Sequence, residues 1–240
     1  MKEPSSSLPV VVITGGSSGI GEATAREFLL RNWRVAILDI TPLSKNHAAH
    51  DAPSDRVLFF KVDITKMTQI EKAAEKIYTT WSRIDVLVNN AGIAQKKLFE
   101  KTTPDDWKTV FEINIIGTLA VTHTFLPYLK HSSTSHILNI ASGAAHRGIP
   151  ELSLYGMSKI ALVNFSQALH AELGAENISV CAITPGSTDT PLFQKTFPGK
   201  KAIHTPSYVA RIIADVAENI LHPNTDRVVD TFYHRHQDQQ

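Results

Sequence analysis

Cysteine is all but missing from this chain. Its single thiol, Cys181, has no second cysteine to pair with, so nothing points to a disulfide or an oxidising compartment. It stands in the apolar run 178–183, where a small buried hydrophobe is the expected role rather than a reactive nucleophile. A charge excess is missing too. Lys and Arg number 24 against 23 Asp and Glu, and a net +1 gives no long-range field to draw in nucleic acid or an anionic membrane. No long uninterrupted apolar stretch suggests a membrane span: residues 4–21 are broken by Pro, Gly and Ser, and 113–129 carry Asn114, His123 and Pro127. Residues 1–9 lack the apolar centre of a secretory signal, so the expected location is cytoplasmic. Without that signal, the two Asn-x-Ser sequons at Asn164 and Asn177 are taken as chance matches. Despite eleven His there is no H-E-x-x-H and no Cys/His cluster, so no metal is expected. His47, His50, His234 and His236 fall in polar, weakly structured segments and are expected at the solvated surface, as are the pairs Lys96-Lys97 and Lys200-Lys201.

What is present describes a globular domain. Hydrophobic residues make up 42% and charged residues 20% of 240, enough to bury one sizeable core. Short β-branched runs at 10–14, 34–39, 57–61, 86–89, 136–140, 179–184 and 227–229 alternate with helical periods at 19–31, 66–81, 105–129 (expected as two helices), 152–173 and 206–221. Apolar strands each followed by a helix imply an α/β, doubly wound sheet of about seven parallel strands with helices on both faces. The chain is read as one domain with its core at 10–230. Residues 41–55 form a loop with at most a short helix, 187–205 an irregular lid and 233–240 a frayed tail.

Chemistry begins at Thr14-Gly15-Gly16-Ser17-Ser18-Gly19-Ile20-Gly21, between the first strand and first helix. Glycines there allow a tight turn, close approach of a pyrophosphate and tight packing of the helix, whose N-terminus presents free N–H groups. The same residues match G-x-S-x-G, the nucleophile elbow of α/β-hydrolases, but that reading expects an earlier strand and oxyanion loop, and only nine residues precede Val10. Asp39 ends the second strand eighteen residues past Gly21, where an acid hydrogen-bonds a ribose 2′-hydroxyl. With no Arg or Lys at 15–18 or at Ile40 to attract a 2′-phosphate, NAD is expected rather than NADP. Further on, Tyr155 and Lys159 stand at i and i+4 on one helix face, where a nearby ammonium would favour the phenolate of a tyrosine acting as acid or base. Ser142 ends the fifth strand thirteen residues earlier, and Asn114 lies in the helical run before it.

The ordered set Thr14–Gly21, Asn89-Asn90-Ala91-Gly92, Asn114, Ser142, Tyr155/Lys159 and Pro185-Gly186 resembles the short-chain dehydrogenase/reductase family, in its subclass of about 250 residues. The resemblance runs from about Val10 to Asp230 and implies a Rossmann-type oxidoreductase acting on alcohol or carbonyl groups. It implies Tyr155 as general acid/base, Lys159 lowering its pKa, Ser142 polarising the reacting oxygen and Asn114 anchoring a relay water. It also implies cofactor contacts from Gly15, Ser17, Ser18, Gly19, Ile20, Gly21 and Asp39, from Asp63 and Ile64 beside the adenine, and from Asn90, Ala91 and Gly92. On the nicotinamide side it implies Ile183, Pro185, Gly186 and Thr190, with Thr188 near the pyrophosphate. Departures from the pattern are few: Asn32 replaces a usual Gly at a cap Asn tolerates, Thr188 replaces an apolar residue, loop 41–55 is short, and 226–230 lacks the usual Gly pairs. Homo-oligomerisation, as dimer or tetramer through the helices at 105–129 and 152–173, is likewise implied. Pocket walls would come from 94–97, 143–152 and 187–205. Ala144, Ile149, Leu152, Leu192 and Phe193 face inward, His146 is a candidate ligand contact, and Arg147 is the one candidate clamp for an anion. A moderately apolar secondary alcohol or ketone is the expected substrate, with no nucleic-acid or membrane partner. The alternative is a catalytically idle dinucleotide-binding or regulatory protein on the same fold.

Overall fold

The computed structural model describes residues 8–231; the readings for 233–240, His234 and His236 lie outside them. Seven parallel strands form one sheet in the order β3-β2-β1-β4-β5-β6-β7. They are β1 (Val10–Thr14), β2 (Arg34–Asp39), β3 (Val57–Lys61), β4 (Val86–Asn89), β5 (Ser135–Ile140), β6 (Ile178–Thr184) and β7 (Val228–Asp230). The helices are α1 (Gly19–Leu30), α2 (Met67–Trp81), α3 (Pro104–Phe111), α4 (Thr118–Leu129), α5 (Ser153–Leu173), α6 (Pro191–Thr196) and α7 (Pro206–Ala217).

Strand alternation sorts the side chains into two cores. Val10, Val12, Ala36, Leu38, Leu87, Ile137 and Val180 pack with Ile70 and Ile77 of α2, Phe125 of α4 and Leu169 of α5. Val11, Ile13, Val35, Ile37, Val88, Leu138 and Ile183 point the other way, onto Phe28 of α1 and Val209 and Ile213 of α7. Cys181 belongs to this second core as expected, its thiol pushed up to about 12 by burial. A parallel sheet apolar on both faces is stable only between two helical layers, and each fully buried Ile, Leu or Phe contributes about 1.5–3 kcal/mol.

Helix starts follow from local chemistry. Pro occupies the first turn of α3, α6 and α7, where its missing N–H costs nothing, and Thr103, Thr190 and Thr205 cap the three by accepting from backbone N–H groups. Asn32 takes the left-handed conformation (φ 66°) that turns α1 into β2.

Two elements differ from the sequence reading. The run 105–129 is continuous, with α3 and α4 joined by a π-helical segment, Glu112–Gly117, instead of a loop. As one stretch, Pro104–Leu129 is long and apolar enough to pass a membrane-helix criterion, yet it buries Asn114, Thr118, Thr122 and Phe125 in this fold. The segment 187–205 is less irregular than expected, because it contains α6 and a bridge between Thr188 and His204. β1 and β4 are neighbours while their onward connections run to opposite edges, so a crevice opens at the carboxyl ends of those two strands.

Candidate active site and nucleotide cleft

Two cavities share this crevice. The smaller, about 290 Å³, is lined by Gly15, Ser18, Gly19, Asp39, Asp63, Ile64, Ala91 and neighbours. The larger, about 640 Å³, takes in Ser142, Tyr155, Lys159, Pro185, Gly186 and Thr188. Ile20, Asn90, Gly92, Thr190 and Leu192 line both, so the two are continuous.

The glycine turn is shaped by its neighbours. Gly15 has φ 66°, and a Cβ there would meet Ala91 Cα at 2.9 Å. A Cβ on Gly21 would stand 2.1 Å from the Gly15 carbonyl oxygen, so this glycine lets α1 close against the turn itself rather than against the sheet. Asn90 fastens β4 to the same turn, its Nδ2 donating to the carbonyls of Thr14 and Gly15 at 3.0 Å. Ser18 caps α1 without a side-chain hydrogen bond, leaving the first-turn N–H groups free for an anion.

Asp39 is held from both sides, accepting from the Ser17 N–H and the Thr41 N–H at 2.9 Å each. Ser17 therefore does not line the cleft as expected: it is buried, and its hydroxyl donates to the Thr41 carbonyl at 2.7 Å. Its work is to orient Asp39. Asp63 accepts from the Thr65 N–H and hydroxyl, and these bonds hold its carboxyl below the usual range, so it is an anion near neutrality. Two carboxylates, apolar walls at Ile40 and Ile64, and an uncapped helix N-terminus fit the ribose, base and phosphates of a dinucleotide.

One residue here was misread from sequence. His47, expected at the surface, is fully buried beneath the turn. Its Nδ1 accepts from the Ala49 N–H at 3.1 Å, which leaves Nε2 to donate to the Gly16 carbonyl at 3.0 Å. The imidazole thus ties the segment after β2 to the glycine turn.

In the larger cavity Ser142, Tyr155 and Lys159 come together. Burial pushes the Tyr155 phenol above its ordinary pKa, and a hydrogen bond with Ser142 pulls the other way. Burial brings the Lys159 ammonium down to about 8, and its Nζ donates to the Ile140 carbonyl at 2.8 Å, 5.6 Å from the Tyr155 ring centre. At Tyr155 desolvation outweighs the Ser142 hydrogen bond.

Asn114 sits in the π-helical segment with no exposure. Its Nδ2 donates to the Ile93 carbonyl and the Ser158 hydroxyl at 2.9 Å, and its Oδ1 accepts from the Ile93 N–H at 2.8 Å. Ser158 in turn donates to the Tyr155 carbonyl at 2.7 Å. Both amide donors go to protein, so the side chain is a clamp between the loop after β4 and the start of α5. Sequence reasoning passed over Ser158. Its only signal is its place one residue before Lys159, on the turn that carries Tyr155.

Of the expected substrate contacts, Ala144, Leu152, Leu192 and Phe193 line the larger cavity. His146 does not: it is exposed, with its Nε2 on the Thr184 hydroxyl at 3.2 Å. Thr188 lines the larger cavity, its hydroxyl donating to the Gly186 carbonyl. Lys96 and Lys97, expected as free solvated charges, pair with Glu151 at 3.2 Å and Asp106 at 2.6 Å. Among the described residues no group of His, Cys, Asp and Glu could hold a metal.

The pattern of the short chain dehydrogenase family matches residues 9–201. The chain is 32% identical to the 3-oxoacyl-(acyl-carrier-protein) reductase FabG of Thermotoga maritima, over 78% of this chain and 76% of that protein. Among solved structures it is similar to the 3-ketoacyl-(acyl-carrier-protein) reductase of Brucella melitensis complexed with NADH (TM-score 0.81, 29% identity, 92% of this chain and 96% of that one). It is also similar to ElxO with NADP bound (TM-score 0.83, 28% identity, 93% and 97%). The fold, the ordered motifs and these matches together make the chain a member of the short-chain dehydrogenase family, an oxidoreductase acting on CH–OH or C=O groups with a nicotinamide cofactor.

Proposed function

We propose that the protein interconverts a secondary alcohol and a ketone with NAD as the preferred cofactor, using Tyr155 as the acid and base. The observation that carries this is the convergence of Ser142, Tyr155 and Lys159 on a cavity continuous with a cleft whose charged lining residues are Asp39 and Asp63. Asp39, oriented by Ser17 and Thr41, would accept from ribose hydroxyls and repel a 2′-phosphate. Asp63 with Ile64 would border the adenine, and the first turn of α1 would take the pyrophosphate. When bound, the nicotinamide supplies or accepts the hydride.

The protein's part is proton transfer and orientation. Ser142 would hold the substrate oxygen by a hydrogen bond. The phenol of Tyr155, kept protonated near neutrality by burial, is set to donate to a carbonyl oxygen in reduction and to take the proton back in oxidation. Lys159 would hydrogen-bond the nicotinamide ribose, and the Asn114–Ser158 clamp would fix the helix turn from which Tyr155 projects. Ile149, Leu152 and Phe193 would keep water from the reacting carbon. A cytoplasmic homo-oligomer taking a small-molecule substrate belongs to the same proposal. Exposed Ile116, Met157 and Ile160 on the helices expected at the contact support it, and a solution mass tests it.

Screening secondary alcohols and ketones with NAD(H), beside the Tyr155→Phe variant, tests the reading. Tyr155-dependent turnover is expected. NADH binding with no turnover across the panel would favour an idle nucleotide-binding protein instead.

A further inference from the structure

The chain is close to neutral, but the wall of the larger cavity is not: its charged residues are Arg147, Lys159 and Lys200, with no Asp or Glu among them. Lys159 is buried deep in the wall, donates to the Ile140 carbonyl and is assigned above to the cofactor ribose. Arg147 and Lys200 are exposed, come from two separate segments, the turn after β5 and the lid after α6, and have no ion-pair partner among the described residues. Lys96 and Lys97, which do not line the cavity, are paired with Glu151 and Asp106. Neither Arg147 nor Lys200 lines the nucleotide cleft, so the cofactor phosphates are not their counterpart. The same wall carries the apolar side chains of Ile149, Leu152, Phe193 and Phe197.

We propose that the substrate is an anion, a ketone or secondary alcohol whose apolar spacer ends in a carboxylate or phosphate held at the cavity mouth by Arg147 and Lys200. The proposal rests on the oxidoreductase reading and names the substrate class that reading leaves open. A guanidinium offers a planar fork to either oxyanion and an ammonium adds a point charge, while the apolar side chains disfavour substrates polar along their whole length. Both cations are exposed, so the attraction weakens as ionic strength rises.

The test compares matched pairs with the purified enzyme and NADH: levulinate against methyl levulinate, and 4-oxopentyl phosphate against 5-hydroxypentan-2-one. At low salt kcat/KM is expected to favour at least one charged member over its neutral twin by about tenfold or more. The ratio should fall toward one in the Arg147→Ala/Lys200→Ala double variant and at high salt. Preference for levulinate over the phosphate assigns a carboxylate, and the reverse assigns a phosphate. Equal or better turnover of both neutral twins by the unmutated enzyme would overturn the proposal while leaving the oxidoreductase reading intact. So would a ratio the double variant does not change while its NADH dissociation constant rises, because the cations would then serve the cofactor. Titrating each compound into the enzyme–NADH complex, read by NADH fluorescence, separates the two failures. Binding of a charged member but not its twin, without turnover, supports the anion site and sinks the catalytic reading. No binding of either charged member overturns the site.

Discussion

Asp39 and Asp63 are the charged side chains of the smaller cavity, whereas Arg147, Lys159 and Lys200 are those of the larger. The two share five lining residues and lie within one crevice, yet their signs are opposite. A net charge of +1 conceals this, since it records only the sum. By our proposal, the carboxylates sit where sugar hydroxyls would find acceptors and a 2′-phosphate would be refused. The cations sit where a proton must be controlled and, by our proposal, where an anionic end must be gripped. By our proposal, sorting charge within one crevice lets one domain hold a dinucleotide in a fixed orientation with its reactive end toward Tyr155.

Disturbing the cationic side should have the largest effect. Tyr155→Phe is expected to lower kcat about a thousandfold while NADH still binds, as stopped-flow turnover and fluorescence titration would show. Retained turnover would remove Tyr155 from the proton transfer. On the acidic side, Asp39→Ala should reduce the NAD-over-NADP ratio of kcat/KM by roughly 10–100-fold, the range of one or two charge-assisted hydrogen bonds. A ratio that stays put would mean the discrimination resides elsewhere.

Smaller effects test how each side is built. His47→Ala leaves the Gly16 carbonyl and the Ala49 N–H without their partner. It should cost about 1–3 kcal/mol in urea unfolding and weaken NADH binding, because the glycine turn loses its brace. Lys159 gives the smallest signal and one with a definite sign. Its pKa is about 8 folded against 10.5 for an ordinary lysine, so between these values the unfolded chain carries the extra proton and raising the pH favours folding. Above about 9 the ionising Cys181 thiol of the unfolded chain works in the opposite direction, so the useful window is pH ~8 to ~9. Across it the wild type should gain about 1 kcal/mol relative to Lys159→Met. Parallel pH profiles for the two proteins would show that the lysine is not desolvated.

Most of the fold was legible because its signals are local. β-branched runs, Pro and Thr at helix starts, and Asn32 at a left-handed turn need only their sequence neighbours. Asp39, Tyr155 and Lys159 could be read because their spacing from a strand end or along a helix fixes their direction, and Asp63 through the family resemblance. What escaped depends on contacts distant in sequence. His47 reaches Gly16 across 31 positions, and Asn114 reaches Ser158 across 44. No periodicity in a polar loop foretells the first, and the π-helical segment that turns Asn114 inward interrupts the period used to find helices. His146 and Ser17 were misplaced for the opposite reason: nearness in sequence to a functional residue was taken as nearness to ligand, whereas hydrogen bonds to Thr184 and Thr41 turn them elsewhere.

The contrast between the cavities stands or falls most directly on the dissociation constants of NADH and NADPH for the unmutated protein, measured by calorimetric titration at low and high ionic strength. Asp39, with no Lys or Arg lining the same cleft, predicts that NADH binds at least tenfold more tightly and that the gap narrows as salt screens the 2′-phosphate from the carboxylate. NADPH binding as tightly as NADH, or more tightly, at low salt would contradict the account.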